Sequence, residues 1–318
     1  MNPKISIVLP AYKKRFLANS IQSILNQTYK NYELIIVNDC SPEDLDSICN
    51  SFVDDRIQYY KNSNNMGGKD LIKCWNHCIQ YATGEYLILA SDDDIYEEEF
   101  LETMVELSQK RPEVNLIRSR VQIIDSKGKV IKKENKLPEF ITQEEYIYRR
   151  IQNGFNMCVP NFMFKLSTFI KEGGFYSLPS AWHSDEVTSI KMSRKGVLNT
   201  QNILFNFRMS GENISSITNP QTCYYKIEAS YLFYNWINTF LIDIKANNGF
   251  QKYSYSEIQD KYIAFIHNII YSTLRRATFG TIFNVFTNKR YKSVITYYLQ
   301  TKIIFSKIKS CLYQQAIE

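Results

Sequence analysis

Apolar residues fall in short dense runs along the first third of the chain and in long stripes along the last third. Ile5-Ser6-Ile7-Val8-Leu9 is rich in β-branched residues and stops at Pro10, the pattern of a strand buried on both faces. Leu17, Ile21, Ile24 and Leu25 then recur at helical spacing and give one apolar face. Tyr32 to Val37 predicts a second strand, ending in Asn38-Asp39. Ser41 and Pro42 predict the cap and first turn of a helix. Ile57 to Tyr60 predicts a short third strand. Leu71, Trp75, Cys78, Ile79 and Ala82 predict another helix, and Tyr86 to Ala90 the next strand. Strand and helix alternate to about residue 110, which argues for a parallel α/β sheet.

The pattern changes after that. Leu116–Ile124 and Val130–Lys133 predict strands around the turn Ser126-Lys127-Gly128-Lys129. Gln143–Gln152 predicts a helix. Gly173-Gly174-Phe175 breaks the chain ahead of Trp182-His183-Ser184-Asp185-Glu186, and a helix from there stops at Gly196. Ile203–Phe207 predicts a strand. From about Thr222 onward the periodicity is helical throughout.

Candidate chemistry gathers at strand ends. The strand at Tyr86 runs into Ser91-Asp92-Asp93-Asp94. Three adjacent carboxylates repel, and a hard divalent cation is one way to offset them. The other reading is a solvated acidic turn in which Asp94 caps a helix. Strand ends of a parallel sheet share one edge, where ligands of open α/β sheets bind. Pro10-Ala11-Tyr12, Asp39 and the acidic run therefore converge there, and Asp39 can accept a hydrogen bond from a uracil ring N–H.

These residues resemble family 2 glycosyltransferases. Ser23 to Glu33 is similar to the family's first helix and second strand. Asn38-Asp39-Cys40-Ser41 is similar to its nucleotide-binding motif, Asn65-Met66-Gly67 and Ala82 to Tyr86 to its approach to the metal site, and Asp92-Asp93 to its acidic motif. Gly173-Gly174-Phe175, with Asp185 eleven residues before Gly196, resembles the segment bearing the base. The resemblance spans roughly residues 4–216. It implies a GT-A fold: a Rossmann-like, mostly parallel sheet flanked by helices, with a C-terminal helical extension. It divides the chain into a domain over 1–219, with a nucleotide-binding half (1–95) and an acceptor half (96–219), and an extension over 220–318.

The resemblance further implies inverting transfer of a sugar from a nucleoside-diphosphate donor, a UDP-sugar first. The acceptor is a glycan or a lipid-linked hydroxyl in bacterial surface polysaccharide synthesis. Asp185 is the implied base, with Glu186 as alternative. Asp93, Asp92 and Asp94 are implied ligands of Mn2+ or Mg2+. Pro10, Ala11, Tyr12, Asp39, Asp92 and Arg208 are implied nucleotide contacts. Three departures stand out: Ser184 and Ser91 occupy usual acidic positions, and Ser210 stands where a His is common, within Phe207 to Ser215. Two other readings are a sugar nucleotidyltransferase, which would want a glycine-rich loop after the first strand, and a non-catalytic nucleotide-sugar-binding scaffold, which would not need to keep the acids.

Charge adds one element. From residue 220 on there are 12 Lys and Arg against 5 Asp and Glu, a surplus of 7 that leaves the rest of the chain at −1. This basic, Tyr- and Phe-rich extension predicts either an anionic membrane surface met through 286–318, by Lys289, Arg290, Lys292, Lys302, Lys307 and Lys309, or burial against protein, including a second copy of the chain. No nucleic-acid partner is expected. The seven Cys form no metal-like cluster, and Cys74 and Cys78 lie in a helical apolar stripe. With no leader-like start and no apolar run of membrane length, the expected location is cytoplasmic, or peripheral on the inner face of the membrane.

Overall fold

The fully buried runs predicted as strands form the centre of one mixed sheet. The computed structural model describes residues 2–152, 154–211, 219–247, 249–296 and 299–307. Its strands are β1 Ile5–Ala11, β2 Tyr32–Asn38, β3 Ile57–Lys61, β4 Tyr86–Leu89, β5 Ile95–Tyr96, β6 Leu116–Asp125, β7 Val130–Lys133, β8 Phe140–Ile141, β9 Phe162–Lys165 and β10 Val197–Met209. Its helices are α1 Leu17–Leu25, α2 Asp46–Asn50, α3 Leu71–Cys78, α4 Phe100–Lys110, α5 Gln143–Ile151, α6 Leu166–Lys171, α7 Ser184–Met192, α8 Pro220–Ala246, α9 Tyr255–Leu274 and α10 Phe279–Thr287.

The sheet order is β3-β2-β1-β4-β9-β6-β10-β5, with β7 on β6 and β8 on β10. The first four strands are parallel, as their alternation with helices predicts. β9 then enters antiparallel between β4 and β6, and β10 runs parallel to β6. The sheet is therefore mixed: β3-β2-β1-β4 form one parallel block, and β6 with β10 a second parallel pair. Ile5, Val8, Leu34, Ile36 and Ile88 are wholly inaccessible to solvent. Cys74 and Cys78 are buried in the core, their sulfurs 4.0 Å apart.

At the N-terminal edge of the sheet one carboxylate binds several strands together. Glu33 on β2 accepts from Lys4 Nζ (2.6 Å), Ser6 Oγ (2.6 Å), Thr83 N (2.8 Å), Thr83 Oγ1 (2.9 Å) and Gln58 Nε2 (3.1 Å). Burial raises its pKa, but these donors outweigh burial and bring it down to about 2.

The chain divides into two compact units: 1–177 with 184–213, and 178–183 with 214–318. In the second, α8, α9 and α10 start on side-chain caps. Asn219 accepts from Thr222 N for α8, Ser254 from Glu257 N for α9, and Thr278 from Thr281 N for α10. Phe233, Ile237 and Leu241 of α8 and Tyr262, Ile266 and Ile270 of α9 form its buried stripes. The short segment 178–183 is held on α8. His183 shares a 3.0 Å hydrogen bond with Ser230 Oγ and stacks on Phe233 with ring centroids 4.6 Å apart. Lys226 Nζ lies 4.6 Å from the Trp182 ring centroid. Ser180, Ala181 and His183 adopt φ of 55°, 57° and 65°, the left-handed region that L-residues avoid. No described helix is long and apolar enough to cross a membrane.

Candidate active site

The C-terminal ends of β1, β2 and β4 bring the predicted groups to one edge of the first unit. β1 and β2 end in register, Ala11 opposite Asn38, and Asp39 N donates to Ala11 O (3.0 Å). Cys40 then takes φ 52° and turns the chain sharply. The Asp39 carboxylate is buried and faces the loop after β3. It accepts from Asn62 Nδ2 (2.7 Å), Met66 N (3.0 Å) and Gly67 N (2.7 Å). A Cβ on Gly67 would lie 3.0 Å from Asp39 Oδ2, so this close approach uses glycine's bare backbone. Asp39 thus organises the loop 62–67.

Tyr12 ties this corner to the acidic run. Its carbonyl accepts from Ser41 Oγ (2.6 Å), and its N–H donates to Asp92 Oδ2 (2.9 Å). Lys13 N donates to the same Asp92 oxygen (2.7 Å). Ser41 is therefore engaged with Tyr12, and the helix predicted from Ser41-Pro42 starts later, at Asp46.

The three carboxylates differ in what surrounds them. Burial raises the Asp92 pKa, against the pull of the Lys13 and Tyr12 N–H groups. Burial and then the Asp92 charge raise Asp93. Asp94, wholly enclosed, is raised by burial and then by Asp93. Asp94 accepts from Ser91 Oγ and from Arg208 N (2.8 Å), so both its oxygens are engaged by protein. It does not cap a helix: α4 begins at Phe100 with Glu99 at its cap. Arg208 on β10 donates Nε to Asp93 O (2.8 Å) and Nη1 to Asp125 O (3.3 Å), with its guanidinium 4.4 Å from the Phe16 ring centroid. Sequence spacing gave no hint that Arg208 braces the acidic turn.

Among the described residues no three His, Cys, Asp or Glu side chains converge into a ready-made metal centre. A cation that acts on nucleotides often takes one or two carboxylates plus the substrate's own phosphates. Asp92 and Asp93, adjacent and mutually repelling, fit that shared arrangement.

Asp185 lies half-buried in the first turn of α7, with Oδ1 accepting from Glu186 N (2.9 Å). Glu186 is buried and paired with Arg150 of α5 at 2.5 Å. Sequence reasoning missed this partner, 36 residues away. Asp185 and Asp94 both act on the thiol of the buried Cys158, whose pKa is raised by burial first and then by these and other charges. The glycine turn before α7 is clamped from α3: Asn76 donates Nδ2 to Phe175 O (3.0 Å) and accepts from Phe175 N (2.9 Å). Glu212 to Ser215, the end of the motif containing Arg208, lies outside the described residues.

The family model described as Glycosyl transferase family 2 matches residues 6–172, more than half of the chain. The chain belongs to glycosyl transferase family 2. The match takes in β1 to β9 and the whole acidic run, and it stops short of Asp185. Among relatives of this family 2 chain, the putative glycosyltransferase EpsE of Bacillus subtilis is 34% identical over 130 residues, 40% of this chain and 46% of that one. The chain spans less than half the length of the curated relatives it matches. In fold it is similar to residues 1–349 of S. aureus TarS, solved with UDP-GlcNAc, at a TM-score of 0.64 and 14% identity over 96% of this chain and 89% of that one. It is also similar to a mannosyltransferase of Pyrobaculum calidifontis, solved with GDP-mannose and Mn2+, at a TM-score of 0.55 and 13% identity over 97% and 87%.

Proposed function

We propose that this family 2 chain is an inverting glycosyltransferase. It moves a sugar from a nucleoside diphosphate, uridine first, to a hydroxyl of a glycan or lipid-linked acceptor in bacterial surface polysaccharide synthesis. The observation that carries the proposal is the edge where Asp39 is hydrogen-bonded to Ala11 and the next residue, Tyr12, to Asp92, with Asp93 beside them. Asp39 reads the base, with Pro10, Ala11 and Tyr12 shaping the floor. Arg208 acts on the nucleotide by holding Asp93 and Asp94 in place.

In the reaction the acceptor oxygen attacks the anomeric carbon on the face opposite the diphosphate. The new C–O bond forms as the bond to the phosphate oxygen breaks, and the diphosphate leaves with the electron pair. Asp185 takes the hydroxyl proton. Glu186 is the weaker candidate for that role, because the Arg150 charge beside it favours an ion pair over proton uptake. A divalent cation, Mn2+ or Mg2+, would be held by Asp93 and Asp92, with Asp94 behind them, and would offset the charge of the departing diphosphate. The basic extension over 220–318 suits an anionic partner.

The test is incubation with UDP-sugars and acceptor glycans, with and without Mn2+, reading the anomeric configuration of the product by proton NMR. Turnover with inversion supports the proposal. Retention of configuration, or no turnover with any nucleotide sugar under either metal, overturns it.

A further inference from the structure

The second unit carries a surface to which the reaction proposed above assigns no residue. Residues 261–317 contain nine Lys and Arg and no Asp or Glu. Within this stretch Arg275, Arg276, Lys289, Lys292 and Lys302 are exposed. Arg290 pairs internally with Glu228 of α8 at 2.8 Å. Apolar side chains of the same stretch are exposed as well. Phe279 is 57% exposed, Phe283 67% and Phe305 69%. Phe279 and Phe283 are four apart on α10 and share a face. Lys307 Nζ lies 5.8 Å from the Phe279 ring centroid, so the helix over 299–307 adjoins that face of α10. Lys302 Nζ lies 4.7 Å from the Tyr271 ring centroid, which brings the same helix beside α9. Ile282 and Val285 are buried, so α10 already has its inward face and the phenylalanines form a second, outward one.

We infer that this face of α10 and the helix over 299–307 is a docking surface for an anionic phospholipid bilayer. The charge decides between candidate occupants. A second copy of this chain would bring an equally basic face, and like charges would meet. An anionic bilayer supplies both what the bases attract and an apolar layer for the rings. The face combines the two elements that interfacial anchoring needs: aromatic groups that enter the boundary and bases that remain among the headgroups. The expected segment 286–318 is thus displaced toward the N-terminus, because Phe279 and Phe283 precede it. Lys309, also expected to take part, lies outside the described residues. The inference does not depend on the reaction proposed above.

The experiment is co-sedimentation of the full chain with vesicles of phosphatidylcholine alone or with phosphatidylglycerol, over a salt series. The variants are Phe283→Ser/Phe305→Ser and Lys292→Gln/Lys302→Gln. All four side chains are exposed, so both variants should keep the wild-type thermal midpoint, which is checked first. The wild type is expected to bind the anionic vesicles at low salt and to lose them as salt rises. The phenylalanine variant should bind on the order of tenfold or more weakly at every salt concentration. The lysine variant should bind on the order of tenfold more weakly at low salt only. Three results would overturn the inference: no binding by the wild type at low salt, equal binding to neutral and anionic vesicles, or undiminished binding by the phenylalanine variant. Self-association that the phenylalanine variant abolishes, in a protein that ignores vesicles, would assign the face to a second copy instead.

Discussion

Replacing Glu33 by Gln should cost stability that depends on pH, while leaving the candidate active site alone. Glu33 lies at the N-terminal edge of the sheet, the edge opposite Asp39 and the acidic run. Its two oxygens accept from four residues. Gln would keep one acceptor and turn the other into a donor that faces donors. The fall from 4.5 to about 2 corresponds to about 3 kcal/mol at neutral pH. Lys4 is 42% exposed, so solvent screens part of its share, and about 2 kcal/mol is the better expectation. In a unit of about 200 residues this lowers the thermal midpoint by roughly 4–8 °C. The folded carboxyl is the stronger acid, so the stabilisation is complete above pH 4.5 and is lost as pH falls from 4.5 toward 2. The gap between wild type and Glu33→Gln should shrink to roughly half or less by pH 3. Calorimetric scans of both proteins at pH 7, 4 and 3 measure it. Equal midpoints at pH 7, or a gap unchanged at pH 3, would refute the reasoning.

Four further outcomes follow from the site. Asp93→Ala should remove the dependence of UDP binding on Mn2+, measured by titration calorimetry; metal-dependent binding equal to wild type contradicts its role. Asp39→Asn should weaken UDP by about 1–3 kcal/mol and also loosen the loop 62–67, seen as faster amide exchange at Met66 and Gly67; equal wild-type affinity for UDP and ADP argues against base reading. Asp185→Asn should lower turnover by roughly 10²–10⁴-fold with donor affinity kept, whereas Glu186→Gln should chiefly lower stability by removing the ion pair with Arg150; reversed effects would move the base by one residue. Gly67→Ala should weaken nucleotide binding through Asp39, and wild-type affinity in that variant would show that the close approach is not needed.

Much of this architecture was readable in advance where burial is complete. β1, β2 and β4 are read from dense apolar runs because no solvent-facing positions dilute them. β9 has no local signature: its four residues follow Pro160, and its place between β4 and β6 is decided by tertiary pairing. β10 was read only over 203–207, because Thr200-Gln201-Asn202 breaks the apolar pattern where the register with β6 shifts. The acidic run stands out as adjacent like charges. The roles of its neighbours do not. Arg208 reaches Asp93 and Asp94 across more than a hundred residues, and Arg150 reaches Glu186 across 36, spacings with no local signature.

The segment 178–183 has a consequence for how the chain is made. Three residues there hold left-handed backbone at roughly 1–2 kcal/mol each, and the groups that hold the last of them, His183, are Ser230 and Phe233, which come about 50 residues later. At about 5–20 residues per second, a ribosome needs roughly 3–10 seconds to supply those groups after His183 has emerged. Through that interval the stretch directly before Asp185 lacks its partners, while the strands from β1 to β9 are already available to pair. A chain ended near residue 213 would keep that condition permanently: the sheet could form, and the approach to α7 would relax out of the left-handed region.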